Sequence, residues 1–486
     1  MSMLVKLIRN IVLYSSLVTC AWAQQSTPQS TQQPAQHSAV EQLQRSLMII
    51  DAKDDTYKAV IAISPSAKQE AEAIDKRGET MLKGMPILVK DNIDMLGMPT
   101  TAGSLALANN YPSDDAPSIS QLKSAGAVIL GKANLSQWAN FRSEKSSSGW
   151  SAVGGQTGNA FDPSRTPCGS SSGSGVAVAL AYVKVAIGTE TNGSIICPAS
   201  SNGVIGFKPT QGIVSGEGIV PLAISQDTAG PIADTIDNAA LVLSAMIDPK
   251  AENASALSEG LRNLPSGADL KGLRIGILAS TLGFDSRRDE LLEIAIEKLR
   301  NSGVVIIEEI SLTPYDGFFA DNYKLLQYEF RRDLDLYFSG RDNTLKNFTL
   351  EKLIQFNIDN AAQELEHFDQ SIFEKSYALE LSEEEYIEIR EKGHQATRQD
   401  GLDKVFSEQN LDAIIGISGG PAWKIDHING DSFSGPSMTS FPAVGGHPHI
   451  TTPGGKIAGM PVGISFIGKR FQDHTLAQLV YRYMTL

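Results

Sequence analysis

Residues 166–209 read TPCGSSSGSGVAVALAYVKVAIGTETNGSIICPASSNGVIGFKP, the densest run of small residues in the chain. Its glycines and serines permit backbone angles closed to bulkier residues and leave main-chain N–H groups open to close approach. A flexible linker shares that composition, but two apolar elements, at 176–182 and 185–187, interrupt this stretch. The first is small and apolar enough for a buried helix, and the second reads as a strand. The expectation is therefore a structured pair of loops around a helix and a strand. Its bare backbone suits an oxyanion hole.

Upstream, Pro86-Ile87-Leu88-Val89 is a strand-like run ending at Lys90, and Ala127-Val128-Ile129-Leu130 is a second. Leu43, Leu47 and Ile50 fall at helical spacing, and 67–77 and 236–247 continue that period. Downstream, a strand at 273–278, a helix near 288–300 and a strand at 304–307 make a β-α-β unit. Further strands are expected at 413–416 and 461–466, before a C-terminal helix at about 472–483. Between them, about 315–410 is acidic and helical in pattern, and reads as a solvated helical cover over the sheet. Interleaving of this kind implies a layered α/β architecture with a mostly parallel or mixed sheet.

The chain has 486 residues, 42% hydrophobic and 20% charged, with a net charge of −14. That balance excludes wholesale disorder and a multispan membrane protein. With no long Lys/Arg run to reverse the field, it also argues against a nucleic-acid partner. Three cysteines and seven histidines exclude a disulfide-stapled scaffold and leave little for a metal site, so no cofactor is expected. Lys6 and Arg9 precede an apolar stretch that closes on Ala21-Trp22-Ala23, the pattern of a secretory signal peptide cleaved after Ala23. Residues 24–38, rich in Gln, Ser, Thr and Pro, read as a disordered tether. The expected organisation is a leader (1–23), the tether (24–38) and one catalytic domain (39–486), secreted or periplasmic, monomeric, with no stable membrane insertion after processing.

Three kinds of chemistry compete for the small-residue stretch. Gly169-Ser170-Ser171-Ser172-Gly173 matches the nucleophile elbow G-x-S-x-G, which would make Ser171 the nucleophile, yet an elbow follows a buried strand and Arg165-Thr166-Pro167-Cys168 is loop-like. Gly126 to Lys132 satisfies the phosphate-loop pattern GxxxxGK, but Ala133 stands where a magnesium-binding Ser or Thr belongs, and Lys132 reads as a surface lysine at a strand end. The third reading needs no histidine. A serine attacks and a lysine is the ultimate base.

Here the residues resemble a known family. Residues 86–231 are similar to the amidase signature family in PILVKDNID, which holds Lys90, in the loop CGSSSGSG, in GTETNGSIICPAS, and in GFKPTQGIVS behind them. GKANLSQWANFRS, SQDTAGPIADT, GGPAWKIDHINGD and GMPVGISFIGK further resemble its bacterial peptide amidase branch. The resemblance implies an amidase-signature fold, a central mixed sheet flanked by helices on both faces. It implies Ser194 as nucleophile, Ser170 as bridging serine preceded by a cis peptide bond, and Lys90 as base. The N–H groups of Thr191, Asn192, Gly193 and Ser194 would form the oxyanion hole. The resemblance favours C-terminal peptide amides as substrates, hydrolysed through an acyl-Ser194 intermediate with release of ammonia, so a peptide or small-molecule amide is the expected partner. A broad aliphatic or aryl acylamidase and, from a different class, a catalytically silent periplasmic binding protein are the alternatives. Asn192 stands where the family commonly has glycine, and Ile196 replaces a common arginine. Trp423 and Asp426 are candidates for the substrate cleft. Cys168 and Cys197 flank the two loops and read first as small packing residues, with a disulfide left open. His447 and His449, in a Gly/Pro-rich loop, are read either as pocket-lining or as structural.

Overall fold

Apolar runs rich in Val and Ile and too short for helices become strands once both faces can be covered. The computed structural model describes residues 37–266, 269–341 and 345–486, so the leader and residues 24–36 of the tether lie outside the described residues. Along it run β1 (Val60–Ile63), β2 (Pro86–Lys90), β3 (Val128–Ala133), β4 (Trp150–Ser151), β5 (Gly155–Gln156), β6 (Val185–Glu190) and β7 (Ile205–Lys208). They are followed by β8 (Thr228–Ala233), β9 (Arg274–Leu278), β10 (Val305–Ile310), β11 (Ala413–Ile417), β12 (His449–Ile457) and β13 (Met460–Ile467). Apart from the small β4/β5 pair, they form one sheet of 11 strands in the order β1-β3-β2-β6-β8-β7-β12-β13-β11-β9-β10.

The sheet is mixed. β3, β2 and β6 are parallel neighbours, as are β11, β9 and β10, while β8, β7, β12 and β13 join the two groups through antiparallel pairs. Alternation along the central strands sends side chains to opposite faces. Ile87, Val89 and Ile187 enter a core with Leu122, Leu243 and Val480, from the helices Pro117–Ser124, Ile236–Met246 and Asp473–Thr485. Leu88 and Ala186 face the other way, against Leu43, Ala71 and Val176 of the helices Ala39–Tyr57, Ala67–Arg77 and Ser172–Ala179. Helices thus cover both faces. Ser38, the last residue of the expected tether, caps the first helix in a reciprocal capping box with Glu41.

The stretch between β10 and β11 is helical, but the solvated cover expected from its charge needs correction. Phe330 and Phe373 pack against Phe141 and Trp138, with ring centroids 5.3 and 5.7 Å apart. Several of its acids are buried because each finds donors inside. Glu364 accepts from Ser104 Oγ and lies 3.8 Å from Arg142, and Glu329 accepts from Tyr386 Oη at 2.6 Å. The acids Glu383–Glu385, Glu388 and Glu391 are among those that remain solvated. The first three open the helix Glu383–Thr397, whose capping box joins Ser382 to Glu385 and whose dipole favours acids in the first turn.

Candidate active site

The site forms where loops leave the carboxyl ends of two parallel neighbours, a position at which open α/β sheets gather ligands. The register that pairs Val89 with Ile187 sets the end of β2 beside the end of β6, and hence Lys90 beside Thr189. Lys90 is 0% exposed. Its Nζ lies 2.7 Å from Ser170 Oγ, 2.7 Å from Thr189 Oγ1 and 3.2 Å from the Thr189 carbonyl. Burial pulls the amine down to about 7, although the nearby Asp227 and Glu190 carboxylates raise it. Nζ donates to all three oxygens. Once neutral, the amine keeps two N–H groups for the Thr189 oxygens and has a lone pair free to take the Ser170 proton.

Ser170 is held from the other side. Its carbonyl accepts from the Ser136 N–H at 3.0 Å, and the Gly169-Ser170 peptide is cis. A side chain at Gly169 would stand 2.2 Å from Ser136 Oγ, so glycine is needed for this close approach. Ser171 has no freedom to act as an elbow nucleophile. Fully buried, its hydroxyl donates to the Thr189 carbonyl at 3.0 Å and accepts the Thr189 N–H at 3.2 Å. Ser172 Oγ likewise donates to the Cys168 carbonyl.

Ser194 sits on the loop that leaves β6, and its carbonyl accepts the Ser171 N–H at 3.1 Å, which sets the loop beside Ser170. The residue is half-buried, and its hydroxyl has no hydrogen-bond partner among the described residues. The N–H groups of Thr191, Asn192, Gly193 and Ser194 donate to no acceptor among the described residues either, while Gly193 takes a left-handed φ of 86°. The next two N–H groups, of Ile195 and Ile196, are both taken by Glu190 Oε2 at 2.7 and 3.0 Å. That contact accounts for the loop without an arginine at 196. Glu190 closes it through backbone donors, and the buried Lys208, pulled down to about 8 by burial, is raised in turn by the Glu190 charge.

Two expectations are overturned. Lys132 is not a surface lysine but is 1% exposed, with Nζ 3.1 Å from Asp91 Oδ1 and donating to the Ile93 carbonyl at 2.7 Å. Asp91, next in sequence to Lys90, supplies the countercharge that permits burial, and the pair anchors the segment carrying the catalytic candidate. Cys168 and Cys197 are not separate packing residues. They are joined in a disulfide, with Cα atoms 5.8 Å apart, that ties the Ser170 loop to the Ser194 loop.

The remaining candidates stand farther out. His447 is buried with Nε2 2.9 Å from Asp403, and His449, held down to about 3 by burial, has Nε2 2.6 Å from Ser465 Oγ. Both are structural. Asp426 caps a turn through the N–H groups of Ile428 and Asn429. Trp423 Nε1 donates to Asp431, which accepts from Ser148 Oγ, and Ser148 Oγ accepts from Asn140 Nδ2 at 2.9 Å. Neither Trp423 nor Asp426 lines the cavity of about 380 Å³ that adjoins Thr189 and Thr191.

The sequence reading missed Thr189, Asn92 and Asp227. Asn92 Nδ2 donates to Thr189 Oγ1 at 3.0 Å, and Asp227 accepts from Thr191 Oγ1 and from the N–H groups of Leu222 and Ala223. Thr189 and Thr191 flank Glu190, the last residue of β6, where the strand runs into the 191–194 loop, a period-2 signal that could have flagged them. The turn at Trp138, Ala139 and Asn140, with φ of 52°, 55° and 69°, had no such signal, because Trp and Ala do not favour left-handed backbone. Bonds to the carbonyls of Ala102 and Ser136 and the packing of Trp138 hold it.

A family model, Amidase, matches residues 41–477. The chain belongs to the Amidase family. This amidase superposes on the native peptide amidase from Stenotrophomonas maltophilia with a TM-score of 0.85 at 40% identity, covering 92% of this chain and 93% of that one. An amidase family protein from Bacillus anthracis follows at TM-score 0.82 and 33% identity, over 92% and 88% of the two chains. A probable amidase of Arabidopsis thaliana is 34% identical over 446 residues, 87% of this chain and 82% of that protein. A glutamyl-tRNA(Gln) amidotransferase component of Streptococcus pneumoniae is 31% identical over 458 residues, 91% of each chain. The amidase is accordingly a hydrolase with the α/β amidase-signature fold, as the resemblance implied.

Proposed function

We propose that this amidase is a serine amidohydrolase that removes ammonia from C-terminal peptide amides through an acyl-Ser194 intermediate. The contact that carries the reading is Lys90 Nζ to Ser170 Oγ at 2.7 Å, made by an amine that burial holds near 7. Ser194 passes its proton to Ser170 as it attacks the carbonyl carbon, and Ser170 passes its own to Lys90. The N–H groups of 191–194 receive the oxyanion, and each well-placed donor is worth roughly 3 kcal/mol, about 100- to 1,000-fold in rate. Ser170 then returns a proton to the departing nitrogen, and water cleaves the ester by the same relay in reverse. The 40% identity to a peptide amidase supports a peptide substrate.

Mass spectrometry of matched peptides ending in amide or free acid, run beside simple acyl amides, tests this reading. A mass gain of one unit on the peptide amide alone is expected, and turnover of the simple amides alone would reassign the enzyme as an acylamidase. Absence of covalent labelling at Ser194 by a fluorophosphonate would turn it into a binding protein. Export completes the proposal. The charged and apolar leader supports it, and so does the Cys168–Cys197 disulfide, which suits an oxidising compartment. N-terminal sequencing of the secreted protein is expected to begin at Gln24.

A further inference from the structure

Arg398 and Arg470 stand together at the C-terminal end of the helix Ser440–Gly445, in a chain whose net charge is −14. Arg398 donates Nε to the Gly445 carbonyl at 2.9 Å and Nη2 to His394 Nε2 at 3.4 Å. Burial pulls the Arg398 guanidinium down to about 10, and the charge on Arg470 adds to that pull. His394 accepts as a neutral ring, held down to about 4 by burial and by the charges of Arg398, Arg390 and Arg470. Among the described residues neither Arg398 nor Arg470 pairs with a carboxylate, because Asp403, the acid beside them, is taken by His447 Nε2 at 2.9 Å.

Arg470 supplies an independent sign of what enters. Its Nε is buried and has no acceptor among the described residues, while both arginines are half-buried and so reach solvent. A buried donor on a charged group is costly without an acceptor, and an anion arriving from solvent supplies one. Gly446 faces both guanidiniums. A Cβ there would stand 3.6 Å from Arg398 Nη2 and 3.9 Å from Arg470 Nε, so the two nitrogens flank a space that bare backbone leaves open. Guanidinium forks match the oxygens of a phosphate group, and two positive charges without a carboxylate partner favour a dianion over a monovalent acid.

We propose that Arg398 and Arg470 bind a small tetrahedral dianion of the phosphate class over Gly446, and that its binding steadies the helix Ser440–Gly445 behind the 191–194 loop. The helix is the physical link. Its first residue, Ser440, accepts from Asn192 Nδ2 at 3.4 Å, and Thr439 before it lies 3.5 Å from where a Cβ on Gly193 would stand. Its last carbonyl, on Gly445, is the one Arg398 holds, and the next, on Gly446, accepts the Gln211 N–H at 3.2 Å. The like charge of Arg470 pushes Arg398 from that carbonyl, whereas a dianion offsets the repulsion and leaves the Nε bond in place. The binding site stands on these residues alone, and its link to turnover rests also on the Ser-Ser-Lys reading above.

The test is thermal unfolding of the purified enzyme in sodium phosphate against sodium chloride at matched ionic strength, with kcat on a primary amide measured in the same buffers. Phosphate at about tenfold its Kd is expected to raise the wild-type midpoint by about 1–2 °C beyond chloride, and kcat by about twofold. Sulfate should act like phosphate, and acetate like chloride. Arg470→Met is expected to lose the phosphate shift, which separates the site from any general salting effect, and to unfold in chloride no lower than wild type because a like charge has gone. Lower stability in chloride with an unchanged phosphate shift makes Arg470 a packing residue and overturns the proposal. Gly446→Asp sets a carboxylate against both guanidiniums at a left-handed φ of 71°, which Asp and Asn tolerate. It should raise the midpoint in chloride and cut the phosphate shift about fivefold or more, while Gly446→Asn, of the same shape without the charge, should not raise it. Equal midpoints in phosphate and chloride overturn the site, and a phosphate-specific shift without a change in kcat overturns its link to the loop. Failure of the Ser-Ser-Lys reading would appear separately, as no labelling of Ser194, and would leave the thermal shift as it is.

Discussion

On the proposed mechanism Lys90 serves as a base because the fold makes its protonated form uncomfortable. Desolvation outweighs the attraction of Asp227 and Glu190, so the amine sits near 7 instead of 10.5. Two outcomes follow from that single displacement. The neutral amine is the active form, so kcat/KM is expected to fall about tenfold per pH unit below about 7 and to level off above it. Burial raises the Asp227 carboxyl to about 7 as well, so the apparent value belongs to the pair and not to either group. Lys90→Met is expected to abolish turnover and also to stabilise the protein. The sign follows from proton binding: between about 7 and 10.5 the unfolded chain holds a proton at Lys90 that the native chain has lost, and below about 7 the native protein must bury the charge. The gain in urea midpoint on Lys90→Met should therefore be larger at pH 6 than at pH 9.5, and a uniform loss at both would contradict it. His447→Gln, by contrast, should leave kcat within about threefold, because that ring faces Asp403 and not the relay.

Two loops behave as one element because two ties hold them together, the Ser171 N–H on the Ser194 carbonyl and the Cys168–Cys197 bridge, while the Glu190 carboxylate on the N–H groups of 195 and 196 closes the second loop on itself. Cutting the bridge with Cys168→Ser and Cys197→Ser frees a segment with a separation of 29 residues, and chain-entropy reasoning puts the loss at about 3–4 kcal/mol. The urea midpoint should drop and the m-value rise, because the unlinked denatured chain is less compact. Glu190→Gln leaves the bridge but weakens a charge-assisted contact under the 191–194 loop, so, if that loop receives the oxyanion as proposed, kcat should fall by about 10- to 100-fold with KM nearly constant, the mark of an interaction that matters in the transition state. What could be read in advance divides along physical lines. The runs at β2, β3, β9 and β13 announce themselves because consecutive Val, Ile and Leu leave few alternatives. β7 and β8 do not, since IGFK and TAGPIA carry Gly, Pro or Lys and owe their strand state to neighbours on either side. Of the candidate site, Lys90, Ser170 and Ser194 stand in long ordered motifs, which is why the sequence singles them out as candidates. The burial of Lys132 was not, because its countercharge at Asp91 lies on a different segment and becomes adjacent only when β2 and β3 pair. The disulfide was similarly silent, because pairing depends on a Cα separation that only the folded loops provide.

Taken as a whole, the protein carries ionisable groups in buried and half-buried positions, and their signs shape its pH stability. On the acid side they oppose one another. His449 and His394 are held down to about 3 and 4, so below about 6.5 the unfolded chain binds protons that the native chain refuses, which lowers stability as pH falls. Asp227, raised to about 7, binds a proton in the native state between about 3.8 and 7 and pulls the other way, as do the buried and raised Asp91 and Asp473. On the alkaline side nothing opposes the lysines until the phenols titrate. Lys90 and Lys208, lowered to about 7 and about 8, release protons natively that the unfolded chain keeps to about 10.5, so each contributes up to about 1.4 kcal/mol of stability per pH unit across that window. Above about 10 the sign reverses, because buried Tyr337 and Tyr483 keep protons that the unfolded chain sheds. The net charge of −14 adds surface repulsion, which 0.15 M salt confines to about 8 Å. Urea unfolding at that salt is therefore expected to show a nearly level free energy from pH 4.5 to 6.5, a climb from 7 to about 9.5, and a decline beyond. Lys208→Met should remove the portion of the climb that begins near pH 8 and leave the portion due to Lys90, whereas an unchanged profile in that variant would show that Lys208 is not the group that titrates.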